Sequence, residues 1–143
     1  MKQIFTALLL LAAMGLAANN LQITRVALVD NDPVAKTVMI EFDLSWDNSW
    51  RDDINWDAAW VIAKYFTGEL PYPHCKLALE GAAAGTGTGH TLIVPDDSLT
   101  LNDTPYGVGA FMYRDSPGSG TFAATGARLK WNYGLNGFDT LPE

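Results

Sequence analysis

The chain has 143 residues, a single cysteine and a formal net charge of −7. Nine Lys and Arg against sixteen Asp and Glu disfavour nucleic acid and anionic membrane surfaces, both of which reward clustered cations. A lone cysteine excludes an internal disulfide, so stability must rest on buried apolar and aromatic side chains.

The first residues read as a targeting segment. Met1-Lys2 is a short positive start, and Ile4 to Leu16 is an almost unbroken apolar run. Gly15-Leu16-Ala17 then offers small residues where a signal peptidase reads them. The expectation is a signal peptide over 1–17, cleaved after Ala17 with Ala18 as the second choice. That leaves one domain over 18–143, secreted, periplasmic or at the cell surface. The run is too short, and too soon followed by Asn19-Asn20, for membrane insertion. No cysteine follows it to carry a lipid.

Leu21 to Val29 reads as a first strand. Its alternation slips near Arg25, so that Leu21 and Ile23, then Val26 and Leu28, face inward, as a bulge would arrange. Asp30-Asn31-Asp32-Pro33 is a turn by composition. Thr37 to Trp46 is the clearest strand. Val38, Ile40, Phe42, Leu44 and Trp46 share one face, and Thr37, Met39, Glu41, Asp43 and Ser45 share the other. Strict period two with polar residues opposite describes a half-buried antiparallel strand.

Asp47 to Asp57 reads as a loop, because its many Asx side chains bond their own backbone and stop strands. Ala58 to Phe66 follows as a strand apolar on both faces. A further strand is expected from His74 to Leu79, after Pro71 and Pro73. Gly81 to Gly89 (GAAAGTGTG) reads as a flexible low-complexity loop. Thr91 to Val94 is a short strand, and Pro95 to Tyr106 a long polar connection. Gly107 to Arg114 is a strand, followed by a hairpin-like turn over Asp115 to Gly120. Thr121 to Tyr133 has Leu129 and Trp131 on one face and Arg128 and Lys130 on the other, with Gly126 marking a bulge or a break into two short strands. Gly134 to Glu143 is a polar tail. Seven to eight short strands and no amphipathic helix give an all-β fold, a single antiparallel two-sheet β-sandwich of immunoglobulin-like or jelly-roll connectivity.

The stretch from Glu41 to Phe66 holds four of the five tryptophans, interleaved with aspartates. Trp46 and Trp60 fall in strands and are expected in the core. Trp50 and Trp56 fall in the loop. With Asp52 and Asp53 as hydroxyl partners they are candidate platforms for a sugar. Asp47, Asp52, Asp53 and Asp57 are candidate oxygen ligands for calcium, although the EF-hand spacing is absent. The bland rival is a turn-forming loop ordered by Arg51 paired to Asp47 or Asp53. His74, Cys75 and His90 make a poor zinc set, because adjacent strand residues point to opposite faces. Cys75 is expected as a small buried apolar residue. Asp52-Asp53 are sequence neighbours and do not by that flank a scissile bond. No GxSxG elbow is present.

The runs FDLSWDNSWR (Phe42 to Arg51), NWDAAWV (Asn55 to Val61) and GVGAFMYRDSPGSGTFAATGARLKWNYG (Gly107 to Gly134) carry a resemblance. They resemble the N-terminal region of exported bacterial proteins with a downstream formylglycine-generating-enzyme-like (sulfatase-modifying-factor) domain. The resemblance spans Asn19 to about Asp139. It implies an accessory module and transfers no catalytic residue. One cysteine cannot supply the thiolate pair that copper-dependent formylglycine chemistry needs. The expected function is therefore non-catalytic: an exported accessory domain that recognises a protein partner or an adjacent domain, with no cofactor. The alternative is a carbohydrate-binding module for polysaccharide, built on the Trp/Asp loop and assisted by calcium.

Overall fold

A computed structural model describes residues 19–96 and 99–142. The signal peptide expected over 1–17 lies outside the described residues. Nine strands are present among the described residues: β1 (Gln22–Asp32), β2 (Thr37–Arg51), β3 (Ala59–Val61), β4 (Thr86–Gly87), β5 (His90–Ile93), β6 (Thr100–Leu101), β7 (Thr104–Pro105), β8 (Ala110–Arg114) and β9 (Gly118–Asn132). Every pairing is antiparallel. The first sheet has the order β1-β2-β9-β4 and the second the order β3-β8-β5. The short β6-β7 pair lies within the connection that sequence composition marks as irregular. The two larger sheets pack face to face, and the fold is an all-β sandwich.

The core follows from alternation. Val38, Ile40, Phe42, Leu44 and Trp46 of β2 are all buried, as are Phe122, Ala124, Ala127, Leu129 and Trp131 of β9. Ala59, Val61, Leu92, Ala110 and Met112 face them from the second sheet. Trp46 stacks on Phe122 with ring centroids 3.8 Å apart. β9 changes phase at Gly126, where the register against β2 shifts between Phe42 and Leu44. Gly126 takes a φ of +69°, which admits the extra residue without a Cβ penalty. The bulge read at Arg25 is also present, between Thr24 and Ala27. It turns Arg25 outward onto Glu41 and Asp43.

Several expectations are corrected. β2 does not stop at Trp46. It runs to Arg51, because Asn48 takes a φ of +57° and a second register shift lets pairing with β9 resume, from Ser49 opposite Gly120 to Arg51 opposite Gly118. β1 likewise runs on to Asp32, and the turn falls at 33–36, where the Asp32 carboxylate accepts the amides of Val34 and Ala35. The 58–66 stretch forms only a three-residue strand. Its smaller residues, Ala59 and Val61, face the core. Trp60 is 44% exposed on the outer face beside Phe111, so it is not a core tryptophan. The second sheet is covered on one side only, so a strand apolar on both faces must leave one of them in solvent.

The Gly/Ala stretch is not a flexible loop. From Lys76 to Thr88 the chain runs antiparallel along the far edge of β9. Backbone bonds link Lys76 to Asn132, Ala78 to Lys130, Ala83 to Arg128 and Thr88 to Ala123. Small residues are there because the backbones come close. A Cβ on Gly85 would sit 2.3 Å from the Thr125 carbonyl oxygen, and one on Gly87 2.2 Å from that of Ala123. His74–Leu79 makes isolated bridges instead of a continuous strand, and Leu77 bridges both Gly107 and Trp131. β8 and β9 lie in different sheets, so the turn at 115–117 joins sheets and closes no hairpin. The polar tail folds back: Asn136 accepts the Trp131 indole N–H at 2.8 Å, and Phe138 meets Tyr65 edge-on.

Candidate functional site

The Trp/Asp stretch is a tight hairpin. Arg51 bridges Trp56, and the open loop shrinks to 52–55. Asp52 makes the turn. Its Oδ1 accepts the amides of Ile54 at 2.8 Å and Asn55 at 2.6 Å, and its own N–H donates to the Asn55 carbonyl. Those two backbone donors, Asn55 foremost, hold the Asp52 carboxyl below its usual range. Asp53 stands exposed at the tip.

Asp57 has a different place. Its Oδ2 accepts the Trp46 indole N–H at 2.7 Å, and its Oδ1 accepts the Ser49 hydroxyl at 3.2 Å and the Trp50 amide at 3.0 Å. Ser49 is fully buried and accepts Arg114 Nε at 2.9 Å. The buried guanidinium also donates to the carbonyls of Gly120 and Thr121. Asp57, Ser49 and Arg114 thus form one chain of charge-assisted bonds between the sheets, which offsets the desolvation of the arginine.

The four candidate calcium ligands are dispersed by these duties. Asp47 accepts hydrogen bonds from Thr121 and Asn20, Asp52 caps the turn, Asp53 is exposed at the tip, and Asp57 turns inward. Among the described residues, no three His, Cys, Asp or Glu side chains gather into a metal-binding group. Arg51 does not pair with Asp47 or Asp53. It donates to the Arg114 carbonyl at 2.6 Å and lies 4.4 Å from the Trp56 ring centroid. The guanidinium prefers a ring face and a fixed carbonyl to exposed carboxylates, where water competes.

Trp50 and Trp56 are both exposed, at 44% and 45%. They do not form a single platform. Trp56 shares the face of Arg51, and Trp50, one residue earlier along β2, points to the other side.

Trp56 instead joins aromatics that sequence reasoning assigned elsewhere. It stacks on Tyr113 with centroids 5.8 Å apart. On the same outer face of the second sheet, Phe111 lies 4.5 Å from Trp60. Ile93 stands opposite Phe111 on β5, and Thr91 opposite Tyr113. The Trp60 ring lies directly over Gly109, where a Cβ would come 2.3 Å from Cζ2. The result is a strip of four rings, Trp56, Tyr113, Phe111 and Trp60, with Arg51 at one end. The strand over Gly107 to Arg114 that carries Phe111 and Tyr113 was legible. The pairing that brings Trp60 beside Phe111, and the stacking of Trp56 on Tyr113, were not.

Cys75 is buried, and burial pushes its thiol up to about 12. His74 and His90 lie apart. The His90 ring nitrogens contact the carbonyls of Thr88 and Ala84. In comparisons with known proteins, no family model, no curated protein and no solved structure matches the chain.

Proposed function

We propose that the chain is a non-catalytic recognition domain of an exported protein, and that it docks a partner protein or an adjacent domain on the outer face of its second sheet. One observation carries this reading: two aromatic pairs on one sheet face, Trp56 on Tyr113 and Trp60 on Phe111, bordered by Ile93, with Trp56, Trp60 and Phe111 each nearly half-exposed. Large exposed aromatic patches mark interaction surfaces, and Trp, Tyr, Phe and Arg are the side chains enriched at interface centres. A non-catalytic role is supported by the polar groups nearby. Asp57, Ser49 and Arg114 are engaged with one another and with backbone. The resemblance to the N-terminal module of formylglycine-generating-enzyme-like proteins points to that type of domain as the neighbour.

A second reading is favoured by the Trp56 end of the strip. There an indole, a phenol and a guanidinium stack beside the polar hairpin tip of Asp52, Asp53 and Asn55, an arrangement suited to a sugar ring and its hydroxyls.

The test is isothermal titration of the purified chain in two arms. One arm uses an isolated formylglycine-generating-enzyme-like domain from a protein of the resembled type, and the other a panel of soluble polysaccharides. Saturable binding in the first arm, weakened tenfold or more by Trp60→Ala with Phe111→Ser, supports docking. Saturable binding only in the second arm, lost in Trp56→Ala, moves the function to carbohydrate. Heat in neither arm, with the fold intact, overturns both assignments of the strip.

A further inference from the structure

The sequence contains one Asn-Gly pair, Asn136-Gly137, in the segment that folds back after β9. Such a pair is chemically labile in an open chain. Glycine has no side chain to hinder its backbone nitrogen from reaching the asparagine side-chain carbon. Here the asparagine is locked. Its Oδ1 accepts the Trp131 indole N–H at 2.8 Å and the Lys76 amide at 2.9 Å. Its Nδ2 donates to the His74 carbonyl at 3.2 Å and the Tyr65 hydroxyl at 3.4 Å. Two of these neighbours only donate and the carbonyl only accepts, so the amide has one orientation, and all its hydrogen-bonding positions are used. The Gly137 nitrogen is held as well. Its N–H donates to the Gly134 carbonyl at 3.0 Å, while the Asn136 and Phe138 amides both donate to the Tyr133 carbonyl at 3.1 Å. Phe138 closes the turn, meeting the rings of Tyr65 and Trp131 edge-on. Asn136 thereby joins β9, the stretch around His74 and the segment that follows β3.

We propose that Asn136-Gly137 is a deamidation site gated by the fold, and that its conversion undocks the 134–139 turn irreversibly. Local opening of the turn frees the Gly137 nitrogen, which gives its proton to hydroxide and attacks Asn136 Cγ. A Cγ–N bond forms, the Cγ–Nδ2 bond breaks, and the side-chain nitrogen takes a proton from water and leaves as ammonia. Water then opens the cyclic imide at either carbonyl, giving aspartate or isoaspartate. Neither product refits the site. Aspartate puts an oxygen where Nδ2 donated, so the bond to the His74 carbonyl becomes a repulsion between two partly buried acceptors. In isoaspartate the main chain runs through the former side-chain carbon. The extra methylene lengthens the turn that the Asn136, Gly137 and Phe138 amides close. The rate in the folded protein is the open-chain rate multiplied by the fraction of time the turn is open. A brief local opening is thus recorded as a permanent change, without parting the sheets. None of these residues belongs to the aromatic strip, so the docking reading stands or falls separately.

The experiment incubates the purified chain in one mildly alkaline buffer, native and in urea, and follows the tail peptide by mass spectrometry. Conversion at Asn136 is expected in both, and slower in the native chain by at least about tenfold. Phe138→Ala removes the closing ring and should speed native conversion about tenfold, leaving the rate in urea unchanged. Tyr65→Phe, which removes only the hydroxyl acceptor, should speed it by about fivefold and covers the case in which Phe138→Ala fails to fold. The converted protein, separated by its added negative charge, should exchange the Lys76 and Phe138 amides with deuterium much faster than the parent. Equal rates in buffer and in urea overturn the gate. So do folded variants that convert no faster than the parent. A converted protein whose Lys76 and Phe138 amides stay as protected as before overturns the undocking.

Discussion

Asp57 accepts the indole N–H of Trp46 at 2.7 Å, and that bond ties the end of the Trp/Asp hairpin to the centre of the core. The same carboxylate holds Ser49 and the Trp50 amide. Removing it strands two side-chain donors and a backbone N–H at a partly buried site. Asp57→Ala should therefore lower unfolding stability by about 2–3 kcal/mol. Asp57→Asn, which keeps one of the two accepting oxygens, should lose less. Urea denaturation of the three proteins checks the order.

Because the four aspartates of the stretch are dispersed, calcium should not hold this hairpin. Thermal unfolding in millimolar calcium and in excess chelator should give the same midpoint. A rise with calcium that Asp52→Ala or Asp53→Ala removes would show that the side chains regather around the ion.

Trp46 and Trp60 should separate cleanly. Trp46 is buried and stacked on Phe122, so Trp46→Ala should cost about 3–5 kcal/mol. Trp60 keeps nearly half its surface in solvent, and Trp60→Ala should cost about 1 kcal/mol, close to an ordinary surface substitution. Chemical denaturation with a constant m-value is the measurement.

Acid should loosen the outer face of the first sheet. Glu41 takes hydrogen bonds from Arg25 and then Arg128, and Asp43 from Arg25 and then the Gly126 amide. Both carboxyls are held below their ordinary range. A carboxyl whose folded pKa is depressed contributes fully above its unfolded value, about 4, and loses that contribution as pH falls through the folded one. Stability should thus be flat above about pH 5 and fall below it. Arg25→Met should make the acid decline shallower, although these exposed pairs are screened by salt. Urea midpoints across pH 2.5–7 at low ionic strength, values chosen to bracket the roughly pH 4 reference, test this.

Gly87→Ala should be disruptive despite its place in a low-complexity run. Its φ is +122°, and the new Cβ would meet the Ala123 carbonyl oxygen at 2.2 Å. A loss of about 3 kcal/mol or more is expected, against about 1 kcal/mol for Gly120→Ser, which shares the backbone strain of a positive φ, +111°, but has open space around it. Thermal melts of both variants distinguish a steric role from a flexible one.

What could be read in advance was local. Period two along Thr37 to Trp46, the bulge at Arg25 and the bulge at Gly126 are encoded by residues a few places apart, and all three are present. What escaped depends on partners far along the chain. Trp60 looks like core until β3 is known to be an edge strand with one face uncovered. Gly81 to Gly89 looks like a linker until β9 is known to run beside it. Asp57 looks like one more loop carboxylate, because its bond to Trp46 needs β2 to continue past Asn48. The aromatic strip joins a hairpin residue, an edge-strand residue and two from β8, and no window of sequence contains all four.

The double bridge of Leu77 ties these sheets into one melting unit. Its amide donates to the Gly107 carbonyl and its carbonyl accepts the Gly107 amide, while its neighbours Lys76 and Ala78 bond Asn132 and Lys130 of β9. One short stretch of backbone therefore bonds both β9 of the first sheet and Gly107, which leads into β8 of the second. Peeling either layer away must break bonds on the other. The amides of Leu77, Ala78, Gly107 and Asn132 should consequently exchange with deuterium at one common, slow rate set by global unfolding, and a protease should find no half-open form to cut.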